Sequence, residues 1–260
     1  MADAPLPDLS LVIPCYNEQD NVGYTLPRLV GAFEKAGRRL EVIAVDNGST
    51  DATGAELTRL AAAHPGVVPV RVEVNQGYGF GILSGLPHAR AAWVGMIPAD
   101  GQVDAEDVVR LFDAVEAYQG PVLGKVRRRF RMDGFRRKII SIVYNLFVRM
   151  LWPSLASLDV NGVPKLLPRD VIRAMGLRSR NWLLDAEIMI KAHYMGLPVL
   201  ELNVFARMRS RGISHVRGET IWEFLRSLLL FRFSPEWRRE LKRPALGAGA
   251  GAAGSAEPGR

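Results

Sequence analysis

The sequence predicts an α/β protein built on a mainly parallel, doubly wound sheet with helices on both sides. Three observations support this prediction. Short apolar runs alternate with helix-like segments through the first 125 residues. Polar clusters directly follow several of these runs, as expected at the ends of parallel strands. The chain has 260 residues and is 48% hydrophobic, which is enough for one large domain with a substantial core.

The apolar runs are the predicted strands of the first half, and the segments between them carry helix-start signals such as Asp, Thr and Gly. The predicted strands are Leu9–Pro14, Leu40–Val45, Val67–Val74, Trp93–Ile97 and Pro121–Gly124. Four helices are predicted between these strands. The first begins near Asn17, and the second follows a cap at Thr50 or Asp51. The third begins within Gly77–Arg90, and the fourth follows a cap at Asp104 and runs to about Tyr118.

The pattern changes after Gly124, where a segment rich in Lys and Arg begins. This basic segment covers Lys125–Lys138. The predicted elements after it are an apolar helix over Ile139–Trp152, an extended segment over Asp159–Leu167, an amphipathic helix over Trp182–Met195, a strand over Pro198–Phe205, a basic loop over Arg207–Arg217 and an apolar helix over Ile221–Phe233. Residues 244–260 are rich in Gly, Ala, Pro and Ser, and this composition predicts a disordered tail.

The net charge and the cysteine content limit the classes of partner and of structural cross-link that the chain can have. The net charge of +7 and the pI of about 9.8 favour anionic partners such as nucleic acid, phospholipid head groups or phosphorylated substrates. The single cysteine, Cys15, excludes an intrachain disulfide, and its apolar surroundings predict a buried structural thiol. Met1–Asp8 shows no signal-peptide pattern. The most apolar windows fall short of the ~20 residues that a membrane span needs, so any membrane contact is expected at the interface.

Two acidic residues stand where ligands bind in open α/β sheets, at the carboxyl ends of strands. Asp46 ends the second predicted strand, and Asp100 follows the fourth, with Gln102 two residues on. One acid suits the base or ribose of a nucleotide, and the other suits a hard divalent cation that shares its ligand shell with phosphates. The simpler alternative is helix capping, although Asp51 and Asp104 are better placed for it.

Four segments carry a family resemblance: Leu11–Glu18, Asp46–Asp51, Asn75–Gly77 and Ala99–Gln102. In this order and spacing they resemble the inverting family 2 glycosyltransferases of GT-A fold, most of all the dolichyl- or polyprenyl-phosphate mannose or glucose synthases. The resemblance covers roughly residues 9–216. It implies a nucleotide-diphospho-sugar transferase domain over 1–218, with a nucleotide-binding half at about 9–124 and an acceptor-binding half at about 125–218. An amphipathic helix that contacts the membrane interface is expected over 219–243.

The resemblance also implies roles for individual residues. The donor-binding residues would be Pro14, Tyr16, Glu18, Asp46, Asn47, Asn75, Gly77, Ala99 and Asp100. Asp100 and Gln102 would hold Mg²⁺ or Mn²⁺, and the residues closest to the chemistry would be Asp100, Arg127, Asp159 and Asp185. The chain departs from the family pattern at Asn47 and Pro98, where the family usually has aspartates, at Tyr78, where a basic residue is frequent, and at His215, where the family has lysine.

The arginine-rich stretch predicts an anionic acceptor. By resemblance, Arg127, Arg137, Arg209 and Ser214 would bind the phosphate of a polyprenyl or other lipid phosphate, since guanidinium groups bind phosphate oxygens in a two-pronged manner. A solvated loop is the plainer interpretation. Nucleic acid is not expected, because no reader motif or stacking platform accompanies the charge. On the predicted helix over Trp182–Met195, Asp185 and Glu187 point about 200° apart, so at most one of them is expected to face the site.

These features predict transfer of a hexose from a UDP- or GDP-sugar to a polyprenyl phosphate at the cytoplasmic face of a membrane, to which the protein binds peripherally. A phosphate acceptor arrives already anionic and needs no general base, but it needs cations that hold it close to an anionic donor. Two alternatives remain open: a cytoplasmic family 2 enzyme that acts on a glycan or small-molecule hydroxyl, and a non-catalytic nucleotide-sugar binding or membrane-scaffold protein. Core packing is the alternative to membrane contact for the two apolar helices. The sugar, the nucleotide and the oligomeric state are not specified by the sequence.

Overall fold

The computed structural model describes residues 5–131, 135–155, 159–206, 218–234, 237–238 and 241. Within these residues the strands are β1 (Leu9–Cys15), β2 (Leu40–Asn47), β3 (Val67–Val72), β4 (Trp93–Met96), β5 (Leu123–Arg131), β6 (Lys165–Pro168) and β7 (Val199–Ala206). The helices are α1 (Gln19–Lys35), α2 (Thr53–Ala63), α3 (Tyr78–Gly85), α4 (Ala105–Glu116), α5 (Phe135–Leu151), α6 (Arg169–Met175), α7 (Leu184–Tyr194) and α8 (Gly218–Phe233), and a 3₁₀ turn covers Leu86–His88.

The described strands form one sheet in the order β3-β2-β1-β4-β6-β5-β7. β1 is parallel to β2 and β4, β2 is parallel to β3, and β5 is parallel to β7. β6 alone among these strands runs antiparallel, between β4 and β5. The predicted α/β class with a mainly parallel sheet is therefore confirmed. One edge of the sheet collects the carboxyl ends of β1, β2, β4, β5 and β7 together with the amino end of β6.

The sheet is buried on both faces, as parallel sheets are. Successive side chains of a strand point to opposite faces. Leu11 and Ile13 accordingly pack on α1 and α4, beside Phe33 and Phe112, whose ring centroids lie 6.1 Å apart. Val12 belongs to the opposite cluster, which includes side chains of α5, α6 and α7. Each fully buried aliphatic side chain of this kind contributes roughly 1.5–3 kcal/mol through removal from water.

The fifth strand is longer than predicted. The sequence predicted a short strand over Pro121–Gly124 that ends before a basic segment, but β5 runs through Leu123–Arg131 and pairs with β7 along its length, with a bulge between Arg128 and Phe130. Lys125 lies opposite Glu201 of β7, and the two side chains form an ion pair of 3.1 Å. Cross-strand pairing of opposite charges makes strand structure possible for a segment that looks too polar for it.

The helix over Leu184–Tyr194 is also different from the prediction. It was expected to be amphipathic, but every residue from Leu184 to Ala192 is buried, including three charged ones. Each of these charges has a partner, because Asp185 pairs with Lys165 and Glu187 pairs with Lys191. A helix can be buried on all sides when its charged residues are neutralised by neighbours.

Of the two helix caps predicted at Asp51 and Asp104, only Asp51 makes a side-chain hydrogen bond to the start of its helix. The backbone N–H of Thr53, the first residue of α2, donates to the Asp51 carboxylate at 3.0 Å, so Asp51 stabilises the start of that helix. Asp104 immediately precedes α4 as predicted, but its side chain makes no capping hydrogen bond with the helix.

Candidate active site

The β2–α2 turn fixes the carboxylate of Asp46. Asp46 is the next-to-last residue of β2 and lies beside Cys15 of β1, and its Oδ1 accepts a hydrogen bond of 3.0 Å from the backbone N–H of Ser49. Gly54 leaves room for this arrangement, because a Cβ there would lie 2.6 Å from Oδ2 of Asp46. The carboxylate is therefore held in one orientation at the carboxyl edge of the sheet, where a ligand would meet it.

The Cys15 thiol lies close to the negative charges of Glu18 and Asp46. The thiol is fully buried, as predicted. Burial is the largest cause that raises the pKa of the Cys15 thiol, followed by the negative charges of Glu18 and Asp46. Glu18 and Asp46, two predicted donor-binding residues on different turns, therefore lie close enough to act on the same atom.

Side chains on the β1–α1 and β2–α2 turns tie the two turns together. The N–H of Asn17 donates to Oγ of Ser49 at 3.1 Å, and the N–H of Thr50 donates to Oδ1 of Asn17 at 2.9 Å. Asn17 adopts the left-handed backbone conformation that asparagine tolerates, with φ 53°. The N–H of Glu18 donates to Oγ1 of Thr53 at 2.9 Å. Pro14, Tyr16, Glu18 and Asp46 are consequently held in one rigid corner.

Asn47 connects this corner to the turn that follows β3. It is buried, and its Nδ2 donates to the carbonyl oxygen of Gly77 at 3.0 Å. Oδ1 of Asn75 accepts from the N–H of Gly77 at 2.8 Å, and Asn47 Nδ2 lies 3.5 Å from the same oxygen. Gly77 has φ 110°, which favours glycine. The side chain of an aspartate at position 47 could not donate this hydrogen bond. The asparagine that departs from the family pattern therefore connects β2 to the turn after β3.

The β4–α4 turn carries Asp100. Its Oδ1 accepts a hydrogen bond of 3.2 Å from the N–H of Gln102, and Gly101 between them has φ 65°. The hydroxyl of Thr25 on α1 donates to the carbonyl oxygen of Ala99 at 2.9 Å, which anchors the turn to the neighbouring helix. Pro98 precedes the turn and is partly exposed.

This turn offers hard oxygen donors to a divalent cation. Among the described residues, no three His, Cys, Asp or Glu side chains gather as a complete metal site. Magnesium-type cations often use only one or two protein carboxylates and take their other ligands from substrate phosphates and water. The carboxylate of Asp100 and the amide oxygen of Gln102 fit that type of site, since both are oxygen ligands on one short turn.

In the part of the sheet formed by β5 and β6, two buried lysines lie next to each other. Lys125 of β5 and Lys165 of β6 are in register, and both are fully buried. Nζ of Lys165 lies 2.5 Å from Oδ1 of Asp185. Burial lowers the pKa of Lys125, as does the charge of Lys165, whereas Glu201 and Asp159 act to raise it. The predicted residues Asp159 and Asp185 therefore belong to one buried group of charges.

Neither Lys125 nor Lys165 was among the residues predicted for the site. The available signal was a lysine inside an otherwise apolar strand, as in Lys165-Leu-Leu. A buried lysine needs an acidic partner, and an acid on a helix predicted to pack on the sheet was the candidate partner.

Glu187 stabilises the segment that leads into α7. Its carboxylate accepts hydrogen bonds from the N–H groups of Arg178 at 3.1 Å and Ser179 at 2.8 Å, and it pairs with Lys191 at 2.6 Å. Asp185 and Glu187 thus have different lysine partners, and both are buried. The contacts assign Glu187 to the support of the loop, whereas Asp185 lies in the group that contains Asp159.

The predicted arginine clamp is described only in part. Arg127 lies on β5 opposite Asn203 and is partly exposed. Arg137 belongs to α5, but its side chain lies outside the described atoms. Arg209 and Ser214 lie outside the described residues, as does the departure at His215. The clamp therefore stays a prediction.

Helices α5 and α8 expose apolar side chains. Tyr144, Val148 and Trp152 face the core, and Ile142, Val143, Leu146 and Met150 are exposed. On α8, Leu228 is buried, whereas Leu229, Leu230 and Phe233 are exposed. The two helices touch where Arg232 Nε donates to the carbonyl oxygen of Leu151 at 3.1 Å. Among the described helices, none combines the length and apolar character needed for a membrane span.

The sheet order and the polar turns at its carboxyl edge define an α/β domain with a candidate ligand site at that edge, and comparison with known proteins assigns the domain to a family. The family model "Glycosyl transferase family 2" matches residues 10–183. This chain belongs to glycosyl transferase family 2, which confirms the family predicted from the four motifs.

Two kinds of curated relative illustrate the similarity. The chain is 34% identical over 170 residues to undecaprenyl-phosphate 4-deoxy-4-formamido-L-arabinose transferase of Edwardsiella ictaluri, covering 64% of this chain and 51% of that protein. It is 27% identical over 243 residues to dolichol-phosphate mannosyltransferase of Pyrococcus furiosus, covering 90% of this chain and 66% of that protein. The chain thus spans only about half to two thirds of the length of these relatives.

Solved structures support the fold. Glucosyl-3-phosphoglycerate synthase of Mycobacterium tuberculosis, in complex with Mn²⁺, UDP-glucose and phosphoglyceric acid, superposes with a TM-score of 0.65 at 20% identity, covering 87% of this chain and 79% of that chain. The mannosyltransferase PcManGT of Pyrobaculum calidifontis, in complex with GDP-mannose and Mn²⁺, gives a TM-score of 0.58 at 20% identity, covering 90% of this chain and 65% of that chain. At this identity the likeness establishes the GT-A type of fold.

Proposed function

We propose that this chain transfers a sugar from a UDP- or GDP-sugar to a polyprenyl phosphate, with inversion and with the help of Mg²⁺ or Mn²⁺. One observation carries the proposal: a single edge of the sheet collects the turns of Asp46 and Asp100 together with the arginine-rich end of β5. The names of the curated relatives, which are polyprenyl-phosphate sugar transferases, favour the same acceptor class.

The donor half binds and orients the nucleotide sugar. Pro14, Tyr16, Glu18 and Asp46 line the corner for base and ribose, and Asn47, Asn75, Gly77 and Ala99 border it. Asp100 and Gln102 would hold the divalent cation, which would neutralise the charge that develops on the leaving diphosphate. Because hydrogen bonds tie the turns together before any ligand binds, little ordering is needed on binding.

The acceptor half brings an anion to the anomeric carbon. A phosphate oxygen of the acceptor attacks that carbon, the bond to the diphosphate breaks, and the nucleoside diphosphate leaves with both bonding electrons. Arg127, Arg137, Arg209 and Ser214 would hold the phosphate, and Asp159 and Asp185 would help to position it. The buried lysines beside these acids limit the negative charge that the acceptor phosphate meets.

Membrane contact fits the same proposal. The exposed apolar side chains of α5, together with Arg149 on the same helix, have the composition of a helix that lies flat on anionic lipid. We assign the protein to the cytoplasmic face of a membrane as a peripheral protein, where a polyprenyl phosphate presents its head group.

The test is transfer by the purified chain. The protein is incubated with UDP- and GDP-sugars, Mg²⁺ or Mn²⁺, and a short polyprenyl phosphate, and lipid-linked sugar is measured. We expect product that disappears with EDTA and falls at least about 100-fold in Asp100→Ala, as for loss of one electrostatic stabiliser of the transition state. Asp170→Asn is the matched control, because Asp170 is 90% exposed on α6, and it should retain full activity.

Two results would contradict the proposal. Equal transfer to a soluble acceptor such as phosphoglyceric acid, the ligand of one structural neighbour, would favour the small-molecule alternative. Binding of a nucleotide sugar without transfer to any acceptor, with either metal, would favour a non-catalytic binding protein.

A further inference from the structure

An aromatic pair joins the donor turn to the helix that carries Asp185. The rings of Tyr78 and Trp182 stack with centroids 4.5 Å apart and planes 10° from parallel. Tyr78 directly follows Gly77 and is the first residue of α3. Trp182 lies three residues before Asp185. The stack therefore links the turn that Asn47 holds to the start of the helix that carries Asp185.

The segment that carries Trp182 is held firmly against the α3 turn. The N–H of Phe80 donates to the carbonyl oxygen of Arg180 at 2.8 Å, and the Arg180 guanidinium donates to Oε1 of Gln76 at 2.8 Å. The same guanidinium lies 5.3 Å from the centroid of the Phe80 ring. A Cβ at Gly77 would lie 2.6 Å from the Arg180 carbonyl oxygen, so this close approach requires glycine.

The other end of the segment is equally fixed. Glu187 accepts the N–H groups of Arg178 and Ser179, and the N–H of Leu183 donates to Oδ1 of Asn181 at 3.0 Å. Trp182 nevertheless keeps 38% of its surface exposed. A large indole on a rigid segment that remains partly open to solvent is a preformed contact surface, because little conformational entropy is lost when a ligand covers it.

The surroundings select the ligand chemistry. Small-molecule sites combine aromatic walls with a few fixed polar groups. Here the wall is Trp182 on Tyr78, and the polar groups nearby in the chain are Asn75 and Asp185. A sugar ring matches this combination, since it has an apolar face of C–H groups and a rim of hydroxyls. The proposed function places the base and ribose in the corner around Asp46, which leaves the sugar as the part of the donor for the stack to contact.

We propose that the Tyr78–Trp182 stack is the wall of the donor's sugar subsite, on which the apolar face of the transferred sugar rests. The proposal rests on the proposed function, because it presumes a nucleotide-sugar donor. It adds a specificity-determining surface at a position where the family pattern has a basic residue. The stack should act on the affinity for the nucleotide sugar and leave the affinity for the nucleotide itself unchanged.

Calorimetric titration separates the two affinities. UDP, UDP-glucose, GDP and GDP-mannose are titrated with Mn²⁺ into wild type, Trp182→Ala, Trp182→Phe and a control, Tyr118→Ala. Tyr118 is also an exposed aromatic, at 41%, but it follows the carboxyl end of α4 and so lies at the opposite edge of the sheet. In Trp182→Ala we expect the Kd of the preferred nucleotide sugar to rise about ten-fold, the loss of one good aromatic contact, while the Kd of its nucleotide changes less than about two-fold.

Trp182→Phe keeps a flat ring and should retain most of the affinity, and Tyr118→Ala should match wild type. If Trp182→Ala does not fold, Trp182→Leu gives the same comparison with an apolar side chain that lacks a ring. Equal weakening of nucleotide and nucleotide sugar, or no weakening of either, would overturn the sugar subsite while the proposed function stands. Failure of the wild type to bind any nucleotide sugar would overturn the proposed function, and the subsite with it.

Discussion

The two halves of the site are held together by different kinds of interaction. In the donor half, neutral side chains bind the backbone of neighbouring turns, as Asn47 does at Gly77 and Thr25 does at Ala99. In the acceptor half, buried ion pairs connect neighbouring elements, as Lys165 does with Asp185 and Lys125 with Glu201.

This difference determines how much stability each half loses when one of these residues is substituted. Loss of a neutral hydrogen bond costs about 1 kcal/mol, because water or a small shift replaces part of it. Loss of one partner of a buried ion pair costs about 3–5 kcal/mol, because the other charge is left buried and unpaired. The acceptor half should therefore be the more fragile half, although each of its pairs adds little net stability compared with an apolar core.

The largest expected effect is that of Lys165→Met. The substitution leaves the Asp185 carboxylate buried without its lysine, and we expect the free energy of unfolding to fall by about 3–5 kcal/mol in urea titrations. The double variant Lys165→Met with Asp185→Leu removes both charges and should recover at least half of that loss. A cost below about 1 kcal/mol for Lys165→Met would remove the distinction between the two halves.

The pH dependence of stability should have opposite signs in the two halves. Burial lowers the pKa of Lys125 below its ordinary 10.5, so the unfolded chain binds more protons just below pH 10.5, and this group makes folding more favourable as the pH rises toward that value. Burial raises the pKa of Cys15 above its ordinary 9.0, so the folded chain retains the thiol proton and stability falls as the pH rises above 9.0.

Comparison with variants isolates each slope. Relative to Lys125→Met, wild type should gain stability as the pH rises toward 10.5 in urea titrations. Relative to Cys15→Ala it should lose stability from about pH 9 upward, and each slope should be at most about 1.4 kcal/mol per pH unit. If stability changed with pH in the same direction in both comparisons, the pKa values of Lys125 and Cys15 would not be shifted in the directions that their surroundings indicate.

The smallest expected effects are those of two substitutions at Asn47 in the donor half, of which Asn47→Asp is the first. The variant loses the hydrogen bond to the Gly77 carbonyl oxygen and places a second negative charge beside Asp46, and we expect a loss of about 1–2 kcal/mol in the free energy of unfolding. Asn47→Ala loses the bond without adding the charge and should cost about 1 kcal/mol. Wild-type stability in Asn47→Asp would mean that the bond does not hold the donor turn.

The sequence predicted the positions of the turns in the first half because their signals are local. Each turn residue directly follows an apolar run, so Asp46 and Asp100 could be assigned to the carboxyl edge from strand spacing and the topology of parallel sheets. The family followed from four short motifs in order, and the buried state of Cys15 followed from its apolar neighbours.

The acceptor half was predicted less well because its decisive contacts are between distant residues. The length of β5 depends on β7, since Lys125 can stay in a strand only when Glu201 lies opposite it. The burial of α7 depends on Lys165, and the stack of Trp182 depends on Tyr78, which lies far earlier in the chain.

The sequence by itself thus determined the fold class, the family and the edge of the sheet at which the turns of Asp46 and Asp100 lie. Only the tertiary structure decided which charges are neutralised and which aromatic rings meet. The physical reason is that apolar periodicity and turn chemistry act over a few neighbouring residues, whereas the free energy of a buried charge depends on a partner that the fold brings from elsewhere.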